Sequence, residues 1–271
     1  MIEMSLSEIK SEELEILKDI HNICMQHHIT YSMAGGTLLG AVRHHGFIPW
    51  DDDVDILMPR KDYEKFINIY KDAGSYLLFH HSTTPNYPYP FIKICSSRTY
   101  VVESGLAKKF RLPAMGVWVD IFPSDYIPHP ESRILWFKWR MYNYLYRYVL
   151  FPWDGNEKKY STLHKKLKQW KINYLRKRYS DLVPLSAHFN NYASHLSKNK
   201  TPKSGCLVWG YGKKEICNSS IWDELIEYDF EGCRFMGFKS DEYLKNLYGD
   251  YMQLPPLDKR ASTHGLCAFW R

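Results

Sequence analysis

Four aspartates fall within five positions, Asp51-Asp52-Asp53-Val54-Asp55, directly before the apolar run Ile56-Leu57-Met58. In an extended strand alternate side chains share a face, so Asp53 and Asp55 point one way while Val54 and Ile56 point into a core. Two carboxylates held that close repel one another unless a cation bridges them. All-oxygen ligands favour Mg²⁺ or Mn²⁺. Asp51 has the same parity and either joins the pair or caps the start of the strand. An EF-hand is excluded, because its turn glycine would fall on Ile56.

Upstream stands Gly35-Gly36, followed by a helical stretch from Thr37 to His44. Glycines let a backbone approach a phosphate, and the positive end of a helix favours its charge. Arg43, one helix length on, has the forked geometry that clamps phosphate oxygens. An anion site (Gly35, Gly36, Thr37, Arg43) thus lies near a cation site (Asp53, Asp55), which is what phosphoryl or nucleotidyl transfer requires. Each feature alone is ordinary: a glycine pair is usually a turn, and an acid cluster is usually a solvated loop. Their combination with interleaved apolar residues favours a site. His44 and His45 adjoin it, and histidines so placed serve more often as hydrogen-bonding scaffold than as catalyst.

These residues need elements to hold them. Ser5 and Glu8 have the spacing of a capping box, and Leu6, Ile9, Ile16, Leu17, Ile20, Ile23 and Cys24 predict a first helix to about His27. Strands are expected at Ile29–Ala34, Val54–Met58, Leu77–His80, Phe91–Cys95, Thr99–Glu103 and Val117–Phe122, with a helix over Lys61–Lys71. Beyond Pro128 the composition changes to an aromatic-rich stretch, Arg133–Leu150, and a basic helical one, Glu157–Tyr179. The fold class is α/β (α+β): a mixed-sheet catalytic core over 1–127, a helical insert over 128–200, and a segment over 201–271 packing back on the core as one compact unit.

The chain has 271 residues, 45% of them hydrophobic and 24% charged, which is ordinary globular composition. No opening basic-then-apolar segment and no run of about 20 apolar residues is present, so a cytoplasmic protein is expected. The six cysteines are scattered without a Cys-x-x-Cys pair; buried free thiols are expected in preference to a metal site of Cys206, Cys217, Cys233 and His264. Aromatics reach 16% of the residues, enough to wall a cage for a sugar, a base or a quaternary ammonium as well as to fill a core.

The run Ala34–Ile56 resembles the LicD family of phosphocholine transferases, which also includes the fukutin-related ribitol-phosphate transferases and belongs to the polymerase-β-like nucleotidyltransferase superfold. Further similarity lies at Met58-Pro59-Arg60-x-x-Tyr63, Val119-Asp120-Ile121-Phe122-Pro123-x-Asp125, Tyr211-Gly212-Lys213-Lys214-Glu215, Phe230-Glu231-Gly232, Tyr248–Pro256 and Lys259-Arg260. The resemblance implies that Asp53 and Asp55 are the metal-binding pair and that Asp120 is a third carboxylate, as metal ligand or general base. From the residues alone Asp120 stands out no more than Asp125. It also implies a CDP-choline or related CDP-alcohol donor, CMP as leaving group and a glycan hydroxyl as acceptor, with Lys93, Arg43 and Lys213 as phosphate contacts. The stretch between Gly36 and the acids is longer than in most polymerase-β relatives, which leaves a register on Asp51 and Asp53 open.

Phosphoribitol or phosphoethanolamine transfer would use the same catalytic residues. An RNA-directed nucleotidyltransferase has only the basic Lys158–Arg178 stretch in its favour, no RNA-binding module is recognisable, and no nucleic-acid partner is expected. A non-catalytic binding protein would be expected to have lost the acids. Tyr160, Leu163, Leu167, Trp170 and Tyr174 recur at three- and four-residue intervals among lysines and arginines, next to Trp136, Phe137, Trp139, Tyr142, Tyr144, Tyr146, Tyr148 and Trp153. That pattern gives either a packed helix or peripheral contact with an anionic membrane, on the inner face of the plasma membrane.

Overall fold

The computed structural model describes residues 2–70, 74–102, 113–150, 162–178, 183–260 and 267–271. Helix α1 (Leu6–His27) starts as its sequence dictates. The Ser5 hydroxyl accepts the Glu8 N–H, the Glu8 carboxylate accepts the Ser5 N–H at 2.8 Å, and His28 ends the helix in the left-handed conformation. Its apolar stripe is buried except at its edges, where Leu6 is exposed and Ile23 half-buried.

The central sheet runs β2 (Ser32–Met33), β3 (Asp55–Pro59), β7 (Trp118–Tyr126), β5 (Ile92–Ser96) and β4 (Tyr76–Phe79) in spatial order, with β3 and β7 parallel and the other neighbours antiparallel. The class is therefore mixed α/β. β7 outruns the predicted strand and continues through Pro123 to Tyr126. Its pairing with β5 has ended by Ile121, so the missing proline N–H costs no bond on that side. Past that point β8 (Lys203–Gly205) takes over, with Asp125 opposite Gly205.

Three helices bear most directly on the site. α2 (Gly35–His44) starts at the glycine pair itself, so Gly35 and Gly36 form its first turn. α3 (Arg60–Ile69) is anchored by Arg60, whose guanidinium makes two bonds to Asp125, at 2.7 and 2.8 Å, and a third to Asn190. α1 packs on β5 and β7. The Lys71 end of the predicted helix and Glu103 of the predicted strand lie outside the described residues; β6 is Thr99–Val101.

In the helical insert, α4 (Arg133–Leu150) buries Trp136, Tyr142 and Tyr146, and Tyr142 stacks on Phe189 of α6 (Val183–Leu196) at 4.0 Å. These residues share one apolar cluster with the sheet. In α5 (Thr162–Arg178) Ile172 is buried, whereas Leu163, Leu167, Trp170 and Tyr174 are 57–69% exposed. Beyond β9 (Cys217–Asn218), the hairpin β10 (Leu225–Phe230) and β11 (Cys233–Phe238) turns at Glu231-Gly232, both with positive φ. It is tied to β2 through the Ser32 and Tyr31 hydroxyls, which accept the Phe238 and Met236 N–H groups. α7 (Glu242–Tyr248) follows. Finally β12 (Ala268–Trp270) pairs between β1 (Ile2–Glu3) and β6, joining the two ends of the chain.

Candidate active site

Asp55 opens β3, and its register partner on β7 is Asp120, whose own partner on β5 is Lys93. Three adjacent strands thus present a row of carboxylate, carboxylate and ammonium. Lys93 Nζ is 2.6 Å from Asp120 Oδ1, with both side chains largely buried. The lysine also lies 4.1 Å from the Trp118 ring centre and 5.4 Å from those of Tyr89 and Phe91.

Local hydrogen bonds fix the acidic segment. Asp55 N–H donates to Thr37 Oγ1 at 2.8 Å, its carbonyl accepts the Ala34 N–H, and the Val54 carbonyl accepts the Asp120 N–H at 3.0 Å. The start of α2 and the start of β3 are therefore one rigid unit. Gly35 has a φ of +51°, and a side chain there would meet Asp55 Oδ2 at 3.3 Å; one at Gly36 would collide with the Asp51 carboxylate. Asp51 and Asp55 thus both rest against the positive end of α2. Gly35 N–H donates to the Tyr243 hydroxyl at 3.2 Å.

Burial, and after it the charges of Asp53 and Asp120, push the Asp55 carboxyl well above the usual carboxylate range, against the pull of Lys93. Glu13, from α1, belongs to the same cluster. It is 2% exposed, and burial followed by the charges of Asp53, Asp52, Asp55 and Asp120 pushes it well above its ordinary value. Sequence reasoning missed it, although its place between Ile9 and Ile16 on the apolar stripe of α1 was a signal.

These groups line one large open cleft, together with Arg43, Trp50, Trp118 and Trp209. The Tyr248–Pro256 segment folds back over it. Arg43 Nη1 donates to the Tyr251 carbonyl at 2.7 Å and the Gln253 carbonyl at 3.3 Å, so this arginine secures the segment at the cleft edge. Lys259 and Arg260 add cations to the rim, Arg260 lying 5.5 Å from the Trp50 ring. They stood in a family motif, yet only the structure brings them to the cleft. The tyrosines Tyr211 and Tyr248 also face the acids. Burial raises both hydroxyls first; among the carboxylates that add to this are Asp55, Asp53 and Asp51.

Of the expected site residues, Asp53, Asp55, Asp120, Gly35, Gly36, Arg43 and Lys93 all line this cleft. Thr37 is buried beneath it as the acceptor for Asp55. His44 lies behind it, accepting from Arg43 Nε at 3.5 Å and edge-on to Trp50. Lys213 is exposed, 4.0 Å from Glu131 and over Trp136, and lines a separate smaller pocket. Cys206 and Cys217 are buried thiols, Cys233 is half-buried, and His264 lies outside the described residues.

Among the described residues no group of three or more His, Cys, Asp or Glu side chains suffices by itself to hold a metal ion. The acid floor nevertheless fits Mg²⁺ or Mn²⁺, because such ions are commonly held by one or two carboxylates with substrate phosphates and water completing the shell. The repulsion from Asp53 and Asp120 that adds to burial in raising Asp55 would be relieved by a bound cation.

A family model described as LicD/FKTN/FKRP, nucleotidyltransferase domain, matches residues 28–157, which hold Asp53, Asp55, Lys93 and Asp120. The lipopolysaccharide cholinephosphotransferase LicD of Haemophilus influenzae is 30% identical over 283 aligned positions, covering 97% of this chain and 97% of that protein. An uncharacterized protein of Rickettsia typhi is 40% identical over 73 residues, 26% of this chain and 24% of its own. One of Rickettsia prowazekii is 48% identical over 48 residues, 18% of each chain. Since the first likeness runs nearly end to end and so extends far beyond the acidic segment, the chain belongs to the LicD family and is a transferase.

Proposed function

We propose that this transferase moves phosphocholine from CDP-choline to a sugar hydroxyl of a cell-surface glycan or its lipid-linked precursor, releasing CMP. The observation that carries this reading is the row Asp55–Asp120–Lys93 on the cleft floor, in a chain aligned along its length with a cholinephosphotransferase.

Asp53 and Asp55 would hold Mg²⁺ or Mn²⁺. When bound, the ion neutralises the diphosphate and the charge developing on CMP. Lys259 and Arg260 bind phosphate oxygens at the rim, joined by Arg43 from the edge it secures. Asp120 takes the proton of the attacking hydroxyl as the new O–P bond forms and the bond from phosphorus to the CMP oxygen breaks. Lys93 holds the Asp120 carboxylate in place through their 2.6 Å ion pair, so the base is aimed before the acceptor arrives. The transfer is balanced: one P–O bond is exchanged for another, and the hydroxyl proton resides on Asp120.

CMP release from CDP-choline, with Mg²⁺ or Mn²⁺ and a glycan acceptor, tests the reading. CDP-ethanolamine and CDP-ribitol serve as comparisons. Exclusive use of CDP-ribitol would keep the reaction class and refute the donor. Pyrophosphate from CTP or ATP, without CMP from CDP-choline, would mean nucleotidyl transfer instead.

A second element of the proposal is peripheral attachment to the inner face of an anionic plasma membrane from the cytoplasm. No helix of the described residues is long and apolar enough to cross a membrane. What favours attachment is the outward face of α5, where Leu163, Leu167, Trp170 and Tyr174 are exposed among lysines, beside exposed Ile134, Phe137 and Met141 of α4. Tyr160, Lys158, Lys159 and Trp153 lie outside the described residues, as does the side chain of Tyr148.

A further inference from the structure

The cleft contains a second acidic feature, apart from the aspartate floor. Glu215 ends a 3₁₀ turn, Gly212–Glu215, and is 8% exposed, yet it lines the same cleft as Asp55 and Asp120. Its carboxylate accepts the Tyr211 backbone N–H, while Oε2 has no hydrogen-bond partner among the described residues. No basic side chain pairs with it there either. Both oxygens lie under Gly210, where a side chain would meet them at 2.5 and 2.6 Å; the φ of +90° at that glycine keeps the position open.

Aromatic rings line the same cleft beside the Gly210 and Gly212 backbone that lies next to this carboxylate. Trp209, the residue before Gly210, has its ring 5.3 Å from Phe91, 5.9 Å from Tyr146 and 6.1 Å from Tyr89. Trp139 of α4 covers Gly212, where a side chain would meet its ring at 2.9 Å. Tyr211 lines the cleft with both acidic features; burial first, and then the charges of Asp55 and Glu215, raise its hydroxyl. A carboxylate buried without a cation is costly, and aromatic faces add negative potential instead of relieving it. What completes such a pocket is a bulky cation that lacks N–H groups, needs no directed acceptors and presents methyl surface to the rings.

We propose that Glu215, with Trp209, Tyr211 and Trp139, forms the subsite for the trimethylammonium headgroup of the phosphocholine being transferred. This rests on the donor assignment above and adds to it the residues that recognise the donor. The division is chemical. The aspartate floor takes the diphosphate through a cation, and the aromatic wall takes the headgroup directly. A neutral polyol such as ribitol would meet rings and one carboxylate there, with no array of donors for its hydroxyls.

The test compares choline with 3,3-dimethyl-1-butanol, its uncharged isostere, binding to the full chain by calorimetry. The wild type should prefer choline by about tenfold or more, the scale of a desolvated cation–π and carboxylate contact. Glu215→Gln should abolish the preference while leaving CMP binding unchanged. Trp209→Leu should weaken choline about tenfold, and it keeps the test open if the glutamine variant folds poorly. Equal binding of the two compounds by the wild type, or a preference surviving in both variants, overturns the subsite. CMP release reports separately on the reaction. Release from CDP-choline with an unaltered preference in the variants leaves the transferase standing and the subsite refuted. A Glu215-dependent preference without CMP release supports the subsite and refutes the reaction.

Discussion

Lys93 and Asp120 form an ion pair of 2.6 Å inside the protein, walled by Trp118 and with Asp55 on the neighbouring strand. Removing one member of a buried pair leaves an uncompensated charge, which costs about 3–5 kcal/mol. Here Asp120 would also face Asp55 without a counter-charge. Lys93→Met should therefore lower stability by several kcal/mol, and Lys93→Met with Asp120→Asn should recover most of the loss. Both proteins should lack turnover. Denaturant unfolding of the four members of the cycle measures the coupling, and strictly additive losses would mean that the pair does not act as a unit.

Asp55 shows a trade of stability for function. Its carboxyl is held well above the ordinary range by burial and by Asp53 and Asp120, so in the metal-free fold its charge is a source of instability. Asp55→Asn should thus raise the melting temperature of the metal-free protein, by about 2–4 °C for each kcal/mol gained. The same change should abolish turnover and most of the shift that Mg²⁺ or Mn²⁺ produces in the wild type. Asp53→Asn should also lose turnover and shift. If both variants stay active and Asp51→Asn is dead instead, the metal pair is Asp51 and Asp53.

How much of this was legible in the sequence differs by residue. The capping box of α1 rests on local spacing, which the chain declares openly; β3 begins only at Asp55, so Asp53 reaches the cleft from the segment before the strand and not from the strand itself. The Asp55–Asp120–Lys93 row is a matter of strand register across long sequence separations, which no local pattern encodes; for Asp120 only the family motif pointed there. Other motifs prove to be architecture. Arg60 and Asp125 form a buried ion pair joining α3 to β7, and Glu231-Gly232 is a hairpin turn whose glutamate accepts the Phe47 N–H. Glu13 carries no sequence signal beyond its place on the helix stripe, and Glu215 stands in a family motif without a role of its own, because an acid in a helix or turn is normally solvated. Their burial is decided by what packs on them, not by their neighbours in sequence.

Two buried groups set opposing pH dependences. Burial, then the nearby His81 and Arg60 charges, pulls His80 down to about 2, from near 6.5 when unfolded. Between those values the unfolded chain carries a proton that the fold does not, so this group makes stability fall as pH drops below about 6.5, by roughly 1.4 kcal/mol per unit. Glu215 runs the other way. Burial pushes it up to about 8, so between its unfolded value near 4.5 and 8 the fold holds the extra proton and stability falls as pH rises. Subtracting the unfolding curve of His80→Gln from that of the wild type between pH 4.5 and 6.5 should therefore give a positive slope with pH. Subtracting that of Glu215→Gln should give a negative slope extending to about pH 8. Flat difference curves would show that neither group is perturbed.

In α5 Leu163 and Trp170 are 69% and 68% exposed, so the apolar stripe that could have packed on the core does not do so. Lys165, Lys166, Lys168 and Lys171 lie on the same helix. Trp170 and Tyr174 stack with ring centres 6.1 Å apart, and a flat aromatic surface among lysines suits the interfacial layer of a bilayer. Each basic residue near an anionic leaflet contributes about 1 kcal/mol, so several together hold a protein at the surface, and salt screens the effect. Co-sedimentation should show binding to vesicles containing phosphatidylglycerol or phosphatidylserine and none to phosphatidylcholine vesicles. High salt and the triple change Lys165→Glu, Lys166→Glu, Lys168→Glu should each release the protein. Trp170→Ser should weaken binding even at low salt, because it removes the inserted ring while keeping every charge. Binding that survives the triple change but is lost with Trp170→Ser would mean attachment through apolar insertion alone. No sedimentation with any vesicle would leave the exposed stripe as a surface for another protein.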